Sequence, residues 1–179
     1  MEIKCRVGDF ADTKASVLGD YVAATLGMDE GEMPIFLAVT DDYTGHMLFL
    51  YENGKAAKIP MESYATKQNR KKLLKAYCDK DPLAGILQLK EETEIAIRTS
   101  GGANGRMLMV HTAQIAEKRT RDSAGVAVIA LKKSQHIESL RPADELEITN
   151  PHRYRVRTLP AAGAIIREEE LTEQLSLDL

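Results

Sequence analysis

Residues 47–60 read MLFLYENGKAAKIP, and this stretch decides the fold. Five apolar or aromatic residues run straight into Glu52-Asn53-Gly54, and a second short run, KAAKI, is stopped by Pro60. Asn-Gly is the strongest short-range hairpin signal, because both central positions of a type I′ turn need positive φ. The stretch therefore predicts a strand, a tight turn at Asn53-Gly54 and a return strand.

Working outward, the same unit recurs about 48 residues later: EIAIRT at 94–99, a glycine-rich turn at 100–105, then RMLMVH at 106–111. A polar basic stretch follows each hairpin, Ser63 to Cys78 and Glu117 to Ser123, with a loop or short helix expected around Arg70 to Tyr77. Gly85 then leads into ILQLK (86–90) and Gly125 into VAVIALK (126–132), so the two glycines are expected at similar places. Upstream, Pro34 opens IFLAVTD (35–41), read as a strand, and Val17, Leu18, Tyr21, Val22 and Leu26 fit a short amphipathic helix broken by Gly27 and Gly31. Downstream, YRVRTL (154–159) reads as a strand, AAGAII (161–166) as a last edge, and REEELTEQLSLDL (167–179) as a short helix or frayed tail.

Hairpins at a 40–50-residue period point to an all-β, bladed or toroidal architecture. β-Branched residues within short apolar runs disfavour helical repeats. The expected organisation is a linking segment or partial blade at 1–33, blade units at 34–90 and 91–140, closing strands at 141–166 and an acidic tail at 167–179. Two units do not close a ring, so the flanks, further chain or a partner must cover their edges.

Composition narrows the function. With 44% hydrophobic and 28% charged residues in 179, the chain is globular. No run approaches the roughly 20 apolar residues that span a bilayer, and no signal-peptide layout occurs, so a cytoplasmic protein without a membrane role is expected. Cys5 and Cys78 form no CxxC, and His46, His111, His136 and His152 sit apart without a zinc signature. There is no GxSxG, Walker A or GxGxxG motif, and the Gly101–Gly105 cluster lacks a following helix. Neither catalytic residues nor a metal or cofactor are expected. Asp41-Asp42 and Glu91-Glu92 read as turn and loop residues.

The net charge is −3, unevenly spread. Residues 55–75 hold seven basic residues against Glu62 alone, and Lys118, Arg119, Arg121, Lys132 and Lys133 form a second run against Asp122. Residues 1–33 carry seven acids and three bases, and 142–179 eight acids and four bases. Lys67, Arg70, Lys71 and Lys72 follow one hairpin, and Lys118, Arg119 and Arg121 follow the next. Repetition places such loops on one rim, where their charge suits a phosphate backbone. The alternative is a solvated charged face. Few aromatics accompany these loops, which favours duplex over single-strand contact.

MLFLYENGKAAKIPMESY (47–64), GGANGRMLMVHTAQI (101–115) and KRTRDSAGVAVIALKK (118–133), with KASVLGDYVAATLGMDEGE (14–32) upstream, together resemble the β-pinwheel C-terminal domain of bacterial type IIA topoisomerase A subunits, those of DNA gyrase and topoisomerase IV. The resemblance covers roughly residues 12–160. It implies propeller-like blades of antiparallel strands, here a partial set with a short N-terminal helix. It also implies a duplex-DNA-binding, DNA-bending or guiding role within an ATP-dependent topoisomerase, with catalysis elsewhere in that enzyme. The implied partners are double-stranded DNA, the rest of the A subunit and the B subunit, and the implied place is the nucleoid in the cytoplasm. Lys67, Arg70, Lys71, Lys72, Lys118, Arg119 and Arg121 are the positions it makes DNA-facing. The glutamine–arginine–glycine-rich box of wrapping-competent gyrase is not evident: KQNRKKLLK (67–75) has Gln68 but no glycine. The competing reading is a protein-interaction module of the same shape with no direct DNA role.

Overall fold

The computed structural model describes residues 1–66, 72–101, 105–167 and the backbone of 171–172. The strands in chain order are β1 (Glu2–Ile3), β2 (His46–Tyr51), β3 (Lys55–Pro60), β4 (Lys72–Leu73), β5 (Leu83–Leu89), β6 (Glu94–Ser100), β7 (Arg106–His111), β8 (Val126–Ala127), β9 (His136–Pro142), β10 (Glu147–Ile148), β11 (Ala164–Ile165) and β12 (Leu171–Thr172). Among the described residues they form two four-stranded antiparallel sheets, β5-β2-β3-β8 and β9-β6-β7-β11, and two short pairs, β1-β4 and β10-β12. The architecture is all-β and bladed, as the hairpin repeat predicts.

Both predicted hairpins form, pairing Leu48 with Lys58 in one and Ile97 with Leu108 in the other. The first turn differs in type from the expectation. Only Gly54 has positive φ (82°), and its N–H donates to the Tyr51 carbonyl at 2.9 Å. That is a three-residue loop with one left-handed residue, and Asn53 serves instead as an acceptor for the Lys55 N–H at 2.9 Å. The second turn includes residues 102–104, which lie outside the described residues.

The unbroken MLFLY run reflects a strand buried on both faces. Met47, Phe49 and Tyr51 join Ala57, Ile59, Met61, Tyr64 and Leu73 on one side. Leu48 and Leu50 face the other way and meet Ile95, Ile97, Leu108 and Val110 of the second sheet, so the main core lies between the sheets. Ala96, Met107, Met109 and Tyr154 form a smaller core on the second sheet's far face.

Each sheet takes its fourth strand from chain beyond its own hairpin and inner strand. β8 reaches the first sheet only after the second hairpin, pairing Lys55 with Ala127 and Ala56 with Val126. β11 repeats that register, pairing Arg106 with Ile165 and Met107 with Ala164. The inner strands repeat as well: β5 and β9 each shift register, between Leu50 and Tyr51 and between Arg98 and Thr99. Gly125 and Gly163, both at positive φ (74° and 72°), turn the chain into β8 and β11. Gly163, then, is the counterpart of Gly125. Gly85, expected in that role, lies within β5, where a Cβ would come 2.8 Å from the Leu140 Cβ of β9.

Other segments depart from expectation. Only Val22–Leu26 is helical within 17–26. Residues 35–41 form no strand: the chain there has no paired neighbour, and Ile35, Phe36, Leu37 and Val39 are exposed. Its tie to β5 is Gln88, whose amide bonds both the N–H (3.2 Å) and the carbonyl (2.8 Å) of Val39. VAVIALK contributes two strand residues, and YRVRTL none. Tyr154 packs as core, and Arg155 makes a single bridge to Met109. Residues 171–172 form a strand where a helix or frayed tail was expected. Among the described residues no helix is long and apolar enough to cross a membrane.

Candidate nucleic-acid interface

The described ends of the first basic loop meet the second. β3 ends in the 3-10 turn Met61–Tyr64, which leads into the first loop. The second loop crosses to that turn through Ser63, whose Oγ donates to the Arg119 carbonyl at 3.1 Å. Arg121 Nη1 donates back to the Ser63 carbonyl at 2.6 Å. The Lys118 N–H donates to the Lys58 carbonyl at 2.8 Å, holding the second loop along β3. Lys75 on the first loop lies 3.8 Å from Asp122 on the second. The first loop is also closed on itself, since the Tyr64 hydroxyl donates to the Ala76 carbonyl at 2.9 Å. Burial pushes that phenol's pKa well above its ordinary value. An anchored start and end thus bracket residues 65–75.

Of the residues expected to face DNA, Lys67, Arg70 and Lys71 lie outside the described residues. Lys72 is exposed on β4, with Nζ 3.3 Å from Asp29 of the N-terminal segment. Arg119 is exposed and Lys118 half-buried. Arg121 is half-buried and turned into the fold: besides bonding Ser63, it places its charge near Glu2 and Tyr64. Burial pushes the Glu2 carboxyl above its ordinary value although Lys4 and Arg121 pull it down. Lys4 joins this side of the molecule, donating to the Tyr64 carbonyl and, at 3.3 Å, to Thr66 Oγ1. Nothing in the sequence around Lys4 marks it, because β1 reaches the loop only by pairing with β4.

Lys58 belongs to the basic run yet is only 4% exposed. Its Nζ lies 2.6 Å from Glu92 Oε1 and donates to the Thr112 carbonyl at 3.0 Å. A buried ammonium needs such partners. Lys58 is thus consumed in holding the two sheets together, and Glu92, expected as a loop residue, is its counter-ion. Alongside, His46 Nε2 sits 2.9 Å from Glu117. Among the described residues of the two loops, Lys72, Lys75 and Arg119 are exposed, Lys118 is half-buried and Arg121 is turned inward.

Comparison with solved structures identifies this layout of blades. The C-terminal domain of DNA topoisomerase IV superposes with a TM-score of 0.68 at 18% identity, over 94% of this chain and 57% of that one. The gyrase A C-terminal domain gives 0.60 at 11% identity, over 84% and 55%. The E. coli ParC C-terminal domain gives 0.59 at 12%, over 89% and 71%. The chain has the β-pinwheel fold of these topoisomerase A-subunit domains, and the likeness at these identities is one of fold. It spans somewhat over half the length of the topoisomerase IV and gyrase domains. The sequence matches no protein-family model and no curated protein.

Proposed function

We propose that this chain is a duplex-DNA-binding part of a type IIA topoisomerase A subunit, gripping the phosphate backbone through the two joined basic loops. The observation that carries the reading is the Ser63 junction, which sets Lys118 and Arg119 beside the segment leading to Lys67, Arg70, Lys71 and Lys72. Contact with phosphate needs clustered cations rather than base-reading side chains, so the grip is independent of sequence. Arg121 acts by positioning the second loop. The absence of glycines from KQNRKKLLK favours bending or guiding the duplex over wrapping it. The partners on this reading are duplex DNA, the remaining A subunit and the B subunit, in the cytoplasm at the nucleoid, and strand cleavage and ATP turnover belong to those other parts.

The competing protein-interaction reading is favoured by the exposed apolar residues Ile35, Phe36, Leu37 and Val39. Duplex binding measured from about 50 to about 200 mM salt separates the two. With four to six phosphate contacts, log K is expected to fall against log salt with a slope of about −4 to −5. Replacing Lys72, Lys118 and Arg119 together by Ala is expected to weaken binding by more than about tenfold while the thermal midpoint holds. No binding at the lowest salt would sink the DNA reading.

A further inference from the structure

We infer that a cleft on the second sheet, away from the two loops, is a separate site for one phosphodiester of the duplex; this rests on the DNA reading above. The cleft encloses about 510 Å³ and is lined by Glu94, His111, Gln114, His152, Arg155 and Arg157 with apolar neighbours.

Its chemistry is that of an anion site. The single carboxylate in the lining is already spent, because Arg155 Nε and Nη2 each lie 2.7 Å from an oxygen of Glu94. That pair is neutral, which leaves the exposed Arg157 guanidinium without an ion-pair partner among the described residues. Both histidines have their tautomer set. The Ala113 N–H donates to His111 Nδ1 at 3.3 Å, and Arg155 Nη1 lies 3.3 Å from His152 Nδ1. Backbone N–H and arginine only donate, so each Nδ1 is an acceptor and the ring N–H is on Nε2. His111, His152 and Arg157 thus line one cleft, residue types whose N–H groups suit a singly charged phosphate oxyanion.

The cleft is linked to the proposed interface along the chain. β7 ends at His111, the 3-10 turn Thr112–Gln114 follows, and Lys118 and Arg119 come four and five residues after Gln114. Gln114 also ties this turn to the Val156 carbonyl at 3.2 Å, fixing the His111 side of the cleft to the Arg157 side. One stretch, 111–119, therefore connects the two places.

The test follows the imidazole ¹⁵N signals of the full chain while a short duplex is added at low salt. His111 and His152 are expected to move and His136, which is bonded to Ser100 Oγ at 2.7 Å, to stay. Arg157→Gln removes an exposed cation without an ion-pair partner among the described residues. It is expected to weaken duplex binding about 3- to 10-fold and to make the salt slope shallower by about 1, with an unchanged thermal midpoint. If the duplex binds while His111 and His152 stay still and Arg157→Gln matches wild type, the cleft is off the DNA path and the inference fails, with the basic-loop reading intact. If the duplex does not bind wild type at all, both readings fail. Inorganic phosphate moving the two signals in that case would reassign the cleft to a small phosphate anion and overturn the phosphodiester assignment.

Discussion

The two sheets share one plan and use their polar residues in opposite ways. Strand order, donated-strand register and the position of the inner-strand bulge are the same in both. In the first sheet the central cation of the return strand, Lys58, is buried and consumed by Glu92 and Thr112. In the second, the ion pair of Glu94 and Arg155 stays at the surface, beside histidines and a spare arginine. A bladed fold fixes the backbone by repetition and leaves each blade's polar wiring free. The wiring, rather than the backbone, decides which ion pair is buried at the junction of the sheets and which stays at the surface.

The largest expected effect tests the shared plan. At Gly125 a Cβ would lie 2.1 Å from the Ala56 carbonyl oxygen, and at Gly163 one would lie 2.7 Å from that of Met107. Both sites also force a left-handed backbone on the new side chain. Gly125→Ala is expected to cost about 3 kcal/mol or more and Gly163→Ala about 2 kcal/mol, read from urea unfolding. A Gly163→Ala protein as stable as wild type would mean that β11 is not held as β8 is.

Next comes the difference between the sheets. Lys58→Ala removes a buried ammonium, leaves the Thr112 carbonyl with only its bond from the Ile115 N–H, and loosens Glu92, whose side chain is 37% exposed and can rehydrate. The expected loss is about 2–3 kcal/mol. Lys58→Met with Glu92→Gln keeps the volume and leaves no buried charge, and is expected to lie within about 1 kcal/mol of wild type. If the double variant is as unstable as Lys58→Ala, packing and not charge holds this junction.

Much of this plan is legible in the sequence, and the remainder fails for a physical reason. MLFLY-ENG-KAAKI and EIAIRT with RMLMVH announce their hairpins because both strands and the turn are local. β8 and β11 are two residues long, and their pairing is set by strands about 58 to 71 residues earlier, so nothing local marks them. β9 escapes because HIESLRP has only Ile137 and Leu140 as large apolar residues, three apart and off a strand period, and its place beside β6 is non-local too. The IFLAV run carries the opposite lesson: strand composition without a strand partner stays an exposed segment outside any sheet. In the candidate interface the repeat marks both basic stretches, and their described parts meet at Ser63. The withdrawal of Lys58 and Arg121 into the fold is not legible there, because it depends on Glu92, Thr112 and Ser63 meeting them from distant parts of the chain.

The smallest effect concerns the surface pair. Glu94 is held below its ordinary carboxyl value of 4.5 by its hydrogen bonds to Arg155, against a little burial. Burial pulls Glu92 upward, but its bonds to Lys58 and Thr112 outweigh that and lower it as well. A carboxyl whose folded pKa lies below its unfolded one contributes stability that is complete above about 4.5. That stability is lost as pH falls through the folded value. At neutral pH Glu94→Gln is expected to cost less than about 1 kcal/mol, since the pair is exposed and screened. The gap between this variant and wild type should close as unfolding is measured from pH 7 down to about pH 3, below the ordinary carboxylate range. Glu92→Gln, facing a buried ammonium, should show the larger gap at neutral pH and the larger change over the same interval. Equal acid sensitivity in the two variants would erase the distinction between a consumed and a surface ion pair.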